Sequence, residues 1–151
     1  MNSRIIYILD TCALIHYFRG DAKLGGRARV ILQDHTSCLV VPIYVFIEMK
    51  RLLADCLKSR RSCVRILPIT SLRLAATSTN IKVFPRSPGV LVEEERLTQE
   101  KQNGLDEQDI SICATALAIK NASTSAGAPI IVSNDGKMFK WGTRVGIKLV
   151  W

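Results

Sequence analysis

Four acidic residues stand where they could act together: Asp10, Glu48, Asp109 and Asp135. Asp10 directly follows a short apolar, β-branched run at 4–9, and Asp135 follows a second such run at 129–133. Glu48 lies near the start of a predicted helix, and Asp109 in the first turn of another. Carboxylates that converge repel one another, and a hard divalent cation relieves that repulsion. All-oxygen ligation suits Mg²⁺ or Mn²⁺, as one or two ions. Two ions can orient a phosphodiester, activate a water and stabilise the leaving oxygen.

Each acid also has a simpler use. Asp10 alone reads more simply as a helix N-cap than as a catalyst. Asp106 and Asp109, three apart, suit the start of a helix. Asp135 precedes Gly136 and suits a turn. Glu48 is harder to dismiss, because it lies on or beside the apolar stripe Val45, Met49, Leu52 and Cys56. A carboxylate there needs a base such as Arg51, a hydrogen bond or a metal.

The elements that must position these acids alternate in type. Strands are predicted at 4–9, 37–41, 64–67, 129–133 and 146–150. Helices are predicted at 12–18, 27–33, 42–59, 71–79, 91–103 and 106–121. Pro42 suits a first helical turn, Gly104 stops the charged helix before it, and Pro85 and Pro88 break the chain. No repeat or linker divides it, so a single domain over 1–151 is expected. Strands alternating with helices imply an α/β sandwich around a mainly parallel sheet. Such sheets bind ligands beyond the carboxyl ends of their strands, which is where Asp10 and Asp135 fall.

Composition narrows the classes. The chain has 151 residues, 48% hydrophobic and 23% charged, which suits one folded domain rather than a disordered chain. The longest apolar run, 39–47, is nine residues and contains Pro42. A membrane helix needs about 20. The start is too short in apolar residues for a signal peptide, so a cytoplasmic protein is expected. Five scattered cysteines with no CxxC pair argue against structural zinc and read as small buried side chains. The net charge is +8, but residues 91–110 hold seven of the 13 acids and two bases. The rest of the chain carries a net +13. A basic body attracts a polyanion, most often nucleic acid.

The ordered set IIYILDTCALI, VPIYVFIEMKRL, LDEQDISICATALAI and PIIVSNDGKMF resembles the PIN-domain family. That family includes ribonuclease toxins of toxin–antitoxin pairs of the VapC type. The resemblance covers nearly the whole chain. It implies a PIN-like α/β/α sandwich with five strands in the order 3-2-1-4-5. It implies that Asp10, Glu48, Asp109 and Asp135 bind Mg²⁺ or Mn²⁺ and support RNA hydrolysis. Thr11 matches a supporting hydroxyl, and Ser133 or Asn134 is expected to hold a metal-bound water or the Asp135 side chain. Asp106 is an added carboxylate, preferred as a cap over a further metal ligand. Cys12 departs from the family's frequent Asn, and Met138 from its Phe.

The function expected is a metal-dependent endoribonuclease, the toxin of a toxin–antitoxin pair. The partners expected are RNA, a cognate antitoxin and a second copy in a homodimer, with no membrane. Arg19, Lys23, Arg27, Arg29, Lys50 and Arg51 are candidate RNA-backbone contacts, although a solvated helix face is the simpler reading of any one. Two alternatives use the same frame: a PIN-like scaffold that binds RNA or protein without catalysis, and a housekeeping RNA-processing nuclease. Other metal-dependent α/β enzymes fit less well. A receiver domain wants a lysine that Lys137 does not match, and a haloacid-dehalogenase-like phosphatase wants an Asp where Cys12 stands.

Overall fold

A computed structural model describes residues 5–18, 20, 22–58, 81–100, 104–123 and 127–151, with the side chains of 53 and 55–58 excepted. Strand β1 (Ile6–Leu9) is built from β-branched and apolar residues and is paired on both sides. It is followed by α1 (Thr11–Phe18), α2 (Gly26–Gln33), β2 (Cys38–Pro42) and α3 (Ile43–Lys58). Then come β3 (Ile81–Phe84), α4 (Pro88–Gln99), α5 (Glu107–Ala122), β4 (Ile130–Val132), α6 (Gly136–Val145) and β5 (Lys148–Val150).

The sheet runs β3-β2-β1-β4-β5 and every pairing is parallel. The expected α/β/α sandwich and strand order are therefore present. Chain order reverses beside β1, since β2 lies on one side and β4 on the other. That reversal opens a crevice beyond the carboxyl ends of β1 and β4. Leu9 pairs with Val132, and the Asp10 N–H donates to the Val132 carbonyl at 3.2 Å. The two strands thus deliver Asp10 and Asp135 to one end of the sheet.

The core is continuous. Ile8, Leu9, Val41, Ile131 and Val132 of the sheet are fully buried, with Leu14, Val45, Met49, Leu97, Met138 and Trp141 from the helices. No helix among the described residues is long and apolar enough to cross a membrane.

Several expectations change. The strand beside β2 is Ile81–Phe84, a stretch to which no element was assigned. The run expected as the third strand, 64–67, and the helix expected at 71–79 lie outside the described residues. As an edge strand, β3 exposes Lys82 and Val83, so its pattern is weaker than that of a buried strand. Helix α4 begins at Pro88 rather than 91. Ser87 caps it, its hydroxyl accepting from the Val90 N–H at 3.4 Å, and Pro88 suits a first turn. Although charged, α4 buries Val90, Glu94 and Leu97.

Helix α6 was not expected, because two of its ten residues are glycine. Tertiary contact explains one of them. A Cβ on Gly142 would lie 2.3 Å from Leu149 Cδ1 and 2.6 Å from the Ile147 carbonyl oxygen. The helix can approach β5 so closely only with glycine there. Gly146, with φ 71°, then ends the helix in the left-handed region.

On α3, Val45 and Met49 are buried as expected, but Leu52 is 37% exposed. Of the cysteines, Cys113 is buried and Cys38 half-buried, whereas Cys12 is exposed. Cys12 follows the cap of α1, so it sits at the mouth of the crevice and not in the core. The side chains of Cys56 and Cys63 lie outside the described residues.

Candidate active site

Three of the four acids do cap helices, as their simpler readings required. Asp10 Oδ1 accepts from the Ala13 N–H at 2.6 Å, at the start of α1. Asp135 Oδ1 accepts from the Lys137 and Met138 N–H groups at 2.7 and 2.9 Å, at the start of α6. Asp106 Oδ1 accepts from the Gln108 and Asp109 N–H groups at 3.1 and 2.9 Å, and Asp109 returns the bond to the Asp106 N–H at 3.4 Å. Asp106 is therefore the cap of α5, and Asp109 closes the capping box. Capping and convergence are compatible here. The N-termini of α1, α5 and α6 each hold a carboxylate by one oxygen, and their positive ends offset part of its charge.

Glu48 arrives from α3. The Thr11 hydroxyl donates a hydrogen bond to Glu48 Oε2, tying α1 to α3 across 37 positions of sequence. Thr11, expected as a supporting hydroxyl, thus contacts Glu48 directly. Among the described residues Glu48 makes no ion pair, with Arg51 or any other base. Both line a cleft of about 210 Å³ with Tyr44, Ile47 and Glu107.

Burial and neighbouring charges raise two of the acids. Asp10 is 4% exposed, and its pKa is raised to about 6. Loss of hydration is the main cause, and the charges of Glu48 and Asp135 add to it. Hydrogen bonds from the Ser133 hydroxyl and the Ala13 N–H pull the other way. Asp109 is also buried and raised to about 6, first by desolvation, then by Asp106, with Asp135 contributing. The Lys137 charge opposes that rise. The Cys12 thiol is open to solvent on one side, yet it is pushed up to about 11. Partial desolvation is the largest cause, followed by Asp10, Glu48, Asp135 and Asp109. One thiol therefore feels all four acids, and its own ionisation is suppressed, which makes it a poor nucleophile.

Ser133 is fully buried and accepts from the Asp135 N–H at 3.0 Å. It braces Asp10 and the Asp135 backbone, not the Asp135 side chain. Asn134 is exposed. Lys137, exposed in the first turn of α6, stands near Asp109 and was not among the candidate RNA contacts.

The candidate RNA contacts scatter. Arg51 shares the cleft with Glu48, whereas Arg27 lines a different depression with Tyr7, Val30 and Lys148. Lys23, Arg29 and Lys50 are exposed, and Arg29 donates to the Leu24 carbonyl at 3.5 Å. Arg19 lies outside the described residues.

The donor set fits a hard divalent cation in chemistry: four carboxylates, no soft ligand engaged, and two acids raised first by burial and then by neighbouring carboxylates. In spacing it is open. Among the described residues no three His, Cys, Asp or Glu side chains are gathered closely enough to grip an ion as they stand.

The family model described as PIN domain matches residues 7–148. No curated protein matches the chain significantly. Three solved structures resemble the fold. VapBC-1 from nontypeable Haemophilus influenzae is 17% identical with a TM-score of 0.63, covering 97% of each chain. VapBC2 from Rickettsia felis, bound to a DNA fragment from its promoter, is 16% identical with a TM-score of 0.63, covering 97% of this chain and 99% of that one. FitAcB from Neisseria gonorrhoeae is 13% identical with a TM-score of 0.60, covering 96% of each. At such identities the likeness speaks for fold alone. The family model, however, runs from β1 into β5 and through all four acids rather than through one motif, and the chain belongs to the PIN-domain family.

Proposed function

We propose that the chain is a divalent-metal-dependent endoribonuclease that acts as the toxin of a toxin–antitoxin pair. PIN domains are generally nucleases. The observation that carries the reading is the adjacent pairing of β1 and β4, which brings Asp10 and Asp135 to the same end of the sheet, with the charges of Glu48 and Asp109 nearby. The toxin role is supported by the resemblance to VapBC-1, VapBC2 and FitAcB. A cognate antitoxin is the partner this implies.

Asp10, Glu48, Asp109 and Asp135 would hold Mg²⁺ or Mn²⁺. When bound, such an ion supplies charge neutralisation at a phosphate and an acidified water. The protein's own part is orientation. Thr11 holds one oxygen of Glu48, Ser133 and the Ala13 N–H hold Asp10, and helix N-termini hold Asp109 and Asp135. Above pH 6 Asp10 and Asp109 are mostly ionised and ready to ligate. Lys137, near Asp109, is placed to meet a phosphate oxygen. Asp106 serves as the cap of α5. The basic body outside 91–110 attracts the RNA backbone, so affinity falls steeply with salt.

The test is cleavage of a mixed RNA pool by the purified chain, with Mg²⁺ or Mn²⁺ and with EDTA, beside Asp10→Asn. Metal-dependent cutting that the variant lacks is the expected result. Equal cutting by the variant would remove the assignment. A folded wild type that cuts nothing with metal supplied would favour the non-catalytic scaffold.

A further inference from the structure

Away from the four acids, a second buried carboxylate is fully engaged. Glu94 on α4 is 8% exposed. Its Oε2 accepts from Arg86 Nε and Nη2 at 2.8 and 2.6 Å, and its Oε1 from the Ser111 hydroxyl at 2.9 Å. Arg86, in the β3–α4 loop, also lies over the Tyr44 ring of α3, 5.1 Å from its centre. One guanidinium therefore ties this loop to α3 directly, and through Glu94 to α4 and α5.

The attachment points are placed tellingly. Tyr44 is one helical turn before Glu48 on α3, and Ser111 is two residues after Asp109 on α5. A groove of about 700 Å³ containing Tyr44, Arg86, Glu94 and Ser111 shares Tyr44 and Glu107 with the cleft at Glu48. Apolar contact alone would hold α4 against α5, and a hydrophobic pair often serves stability as well as a buried ion pair does. Directional bonds add register, which apolar surfaces do not specify.

We infer that Arg86, Glu94 and Ser111 form a positioning brace that sets Glu48 and Asp109 relative to each other. The inference rests on reading the four acids as a metal site. These are positioning residues, and none touches the acids themselves.

The test separates register from stability. Mn²⁺ binding is measured by loss of the free-ion electron paramagnetic resonance signal, alongside the unfolding temperature. The proteins are the wild type, the double variant R86M/E94L, S111A and D109N. The double variant replaces the ion pair with apolar side chains. It is expected to unfold within a few degrees of the wild type, yet to bind Mn²⁺ about tenfold more weakly. S111A, which removes one hydroxyl, is expected to weaken binding in the same direction and keeps the question open to test if the double variant does not fold. Wild-type affinity in both would overturn the brace. Weaker binding by D109N with unchanged binding by the brace variants would refute the brace alone. Unchanged binding by D109N would refute the metal-site reading, and the brace with it.

Discussion

Asp10 and Glu94 are both buried carboxylates, 4% and 8% exposed, and the protein treats them in opposite ways. Glu94 has its counter-charge built in, a guanidinium bonded twice to one oxygen and a hydroxyl bonded to the other. Asp10 has an N–H and a hydroxyl but no base, and its charged neighbours are Glu48 and Asp135. Removing a carboxylate from water costs several kcal/mol unless something compensates. At Glu94 the compensation is covalently part of the chain. At Asp10 no base supplies it, and burial with the nearby charges of Glu48 and Asp135 raises its pKa to about 6. The two acids differ less in burial than in whether the fold provides the cation.

The contrast is sharpest under substitution. Asp10→Asn should abolish metal-dependent RNA cleavage, by about a thousandfold or more, while Asn still caps α1. In EDTA at pH 7 the same variant should be more stable than the wild type. The shift from 3.8 to about 6 sets a ceiling of roughly 3 kcal/mol on that gain. Arg86→Met should do the reverse, lowering the unfolding temperature by at least about 5 °C, because Glu94 is left buried with one donor. Calorimetry of the two variants in EDTA decides the matter. Destabilisation of both alike would erase the distinction drawn between the two acids.

A pH series sharpens it further. A carboxylate raised in the folded state binds more protons folded than unfolded between pH 3.8 and about 6. The stability that Asp10 and Asp109 contribute is therefore present below pH 3.8 and is lost as pH rises through 6. Metal-free protein should gain stability from these two groups as pH falls from 7 to 5. The stabilisation conferred by Mg²⁺ or Mn²⁺ should shrink over the same interval, because protons compete for the ligands. Thermal melts with and without metal at pH 5, 6 and 7 would show curves of opposite slope. Parallel curves would count against the acids as ligands.

The smallest effect is expected at Thr11. Thr11→Val keeps the shape but removes the donor to Glu48. Cleavage should fall about tenfold, with a stability change near 1 kcal/mol. Unchanged cleavage would mean that Glu48 is held by its helix alone.

Much of this site was legible locally. Asp10 and Asp135 are recognisable because each follows an apolar run, and Asp106 with Asp109 because their spacing suits a capping box. Those signals live within four residues, where propensity and hydrogen-bond geometry act. β3 was not legible, since four residues before Pro85 with two side chains in solvent resemble a loop. Nor was α6, whose Gly142 makes sense only against Ile147 and Leu149. Cys12 looked like a core residue and proved exposed, because its place depends on where the N-terminus of α1 points.

By itself the sequence determined the residue types, the alternation of elements and the caps that aim each acid along its own helix. Only the tertiary structure decided that the caps Asp10 and Asp135 come to the same end of the sheet. That follows from β4 pairing beside β1, a contact between residues more than a hundred positions apart. It also decided which acid received a base: Arg86 meets Glu94 because a loop and a helix fold against α5, and no base is brought within hydrogen-bonding reach of Asp10 among the described residues. Local energetics choose conformations, whereas the free energy of a buried charge depends on every element that packs around it.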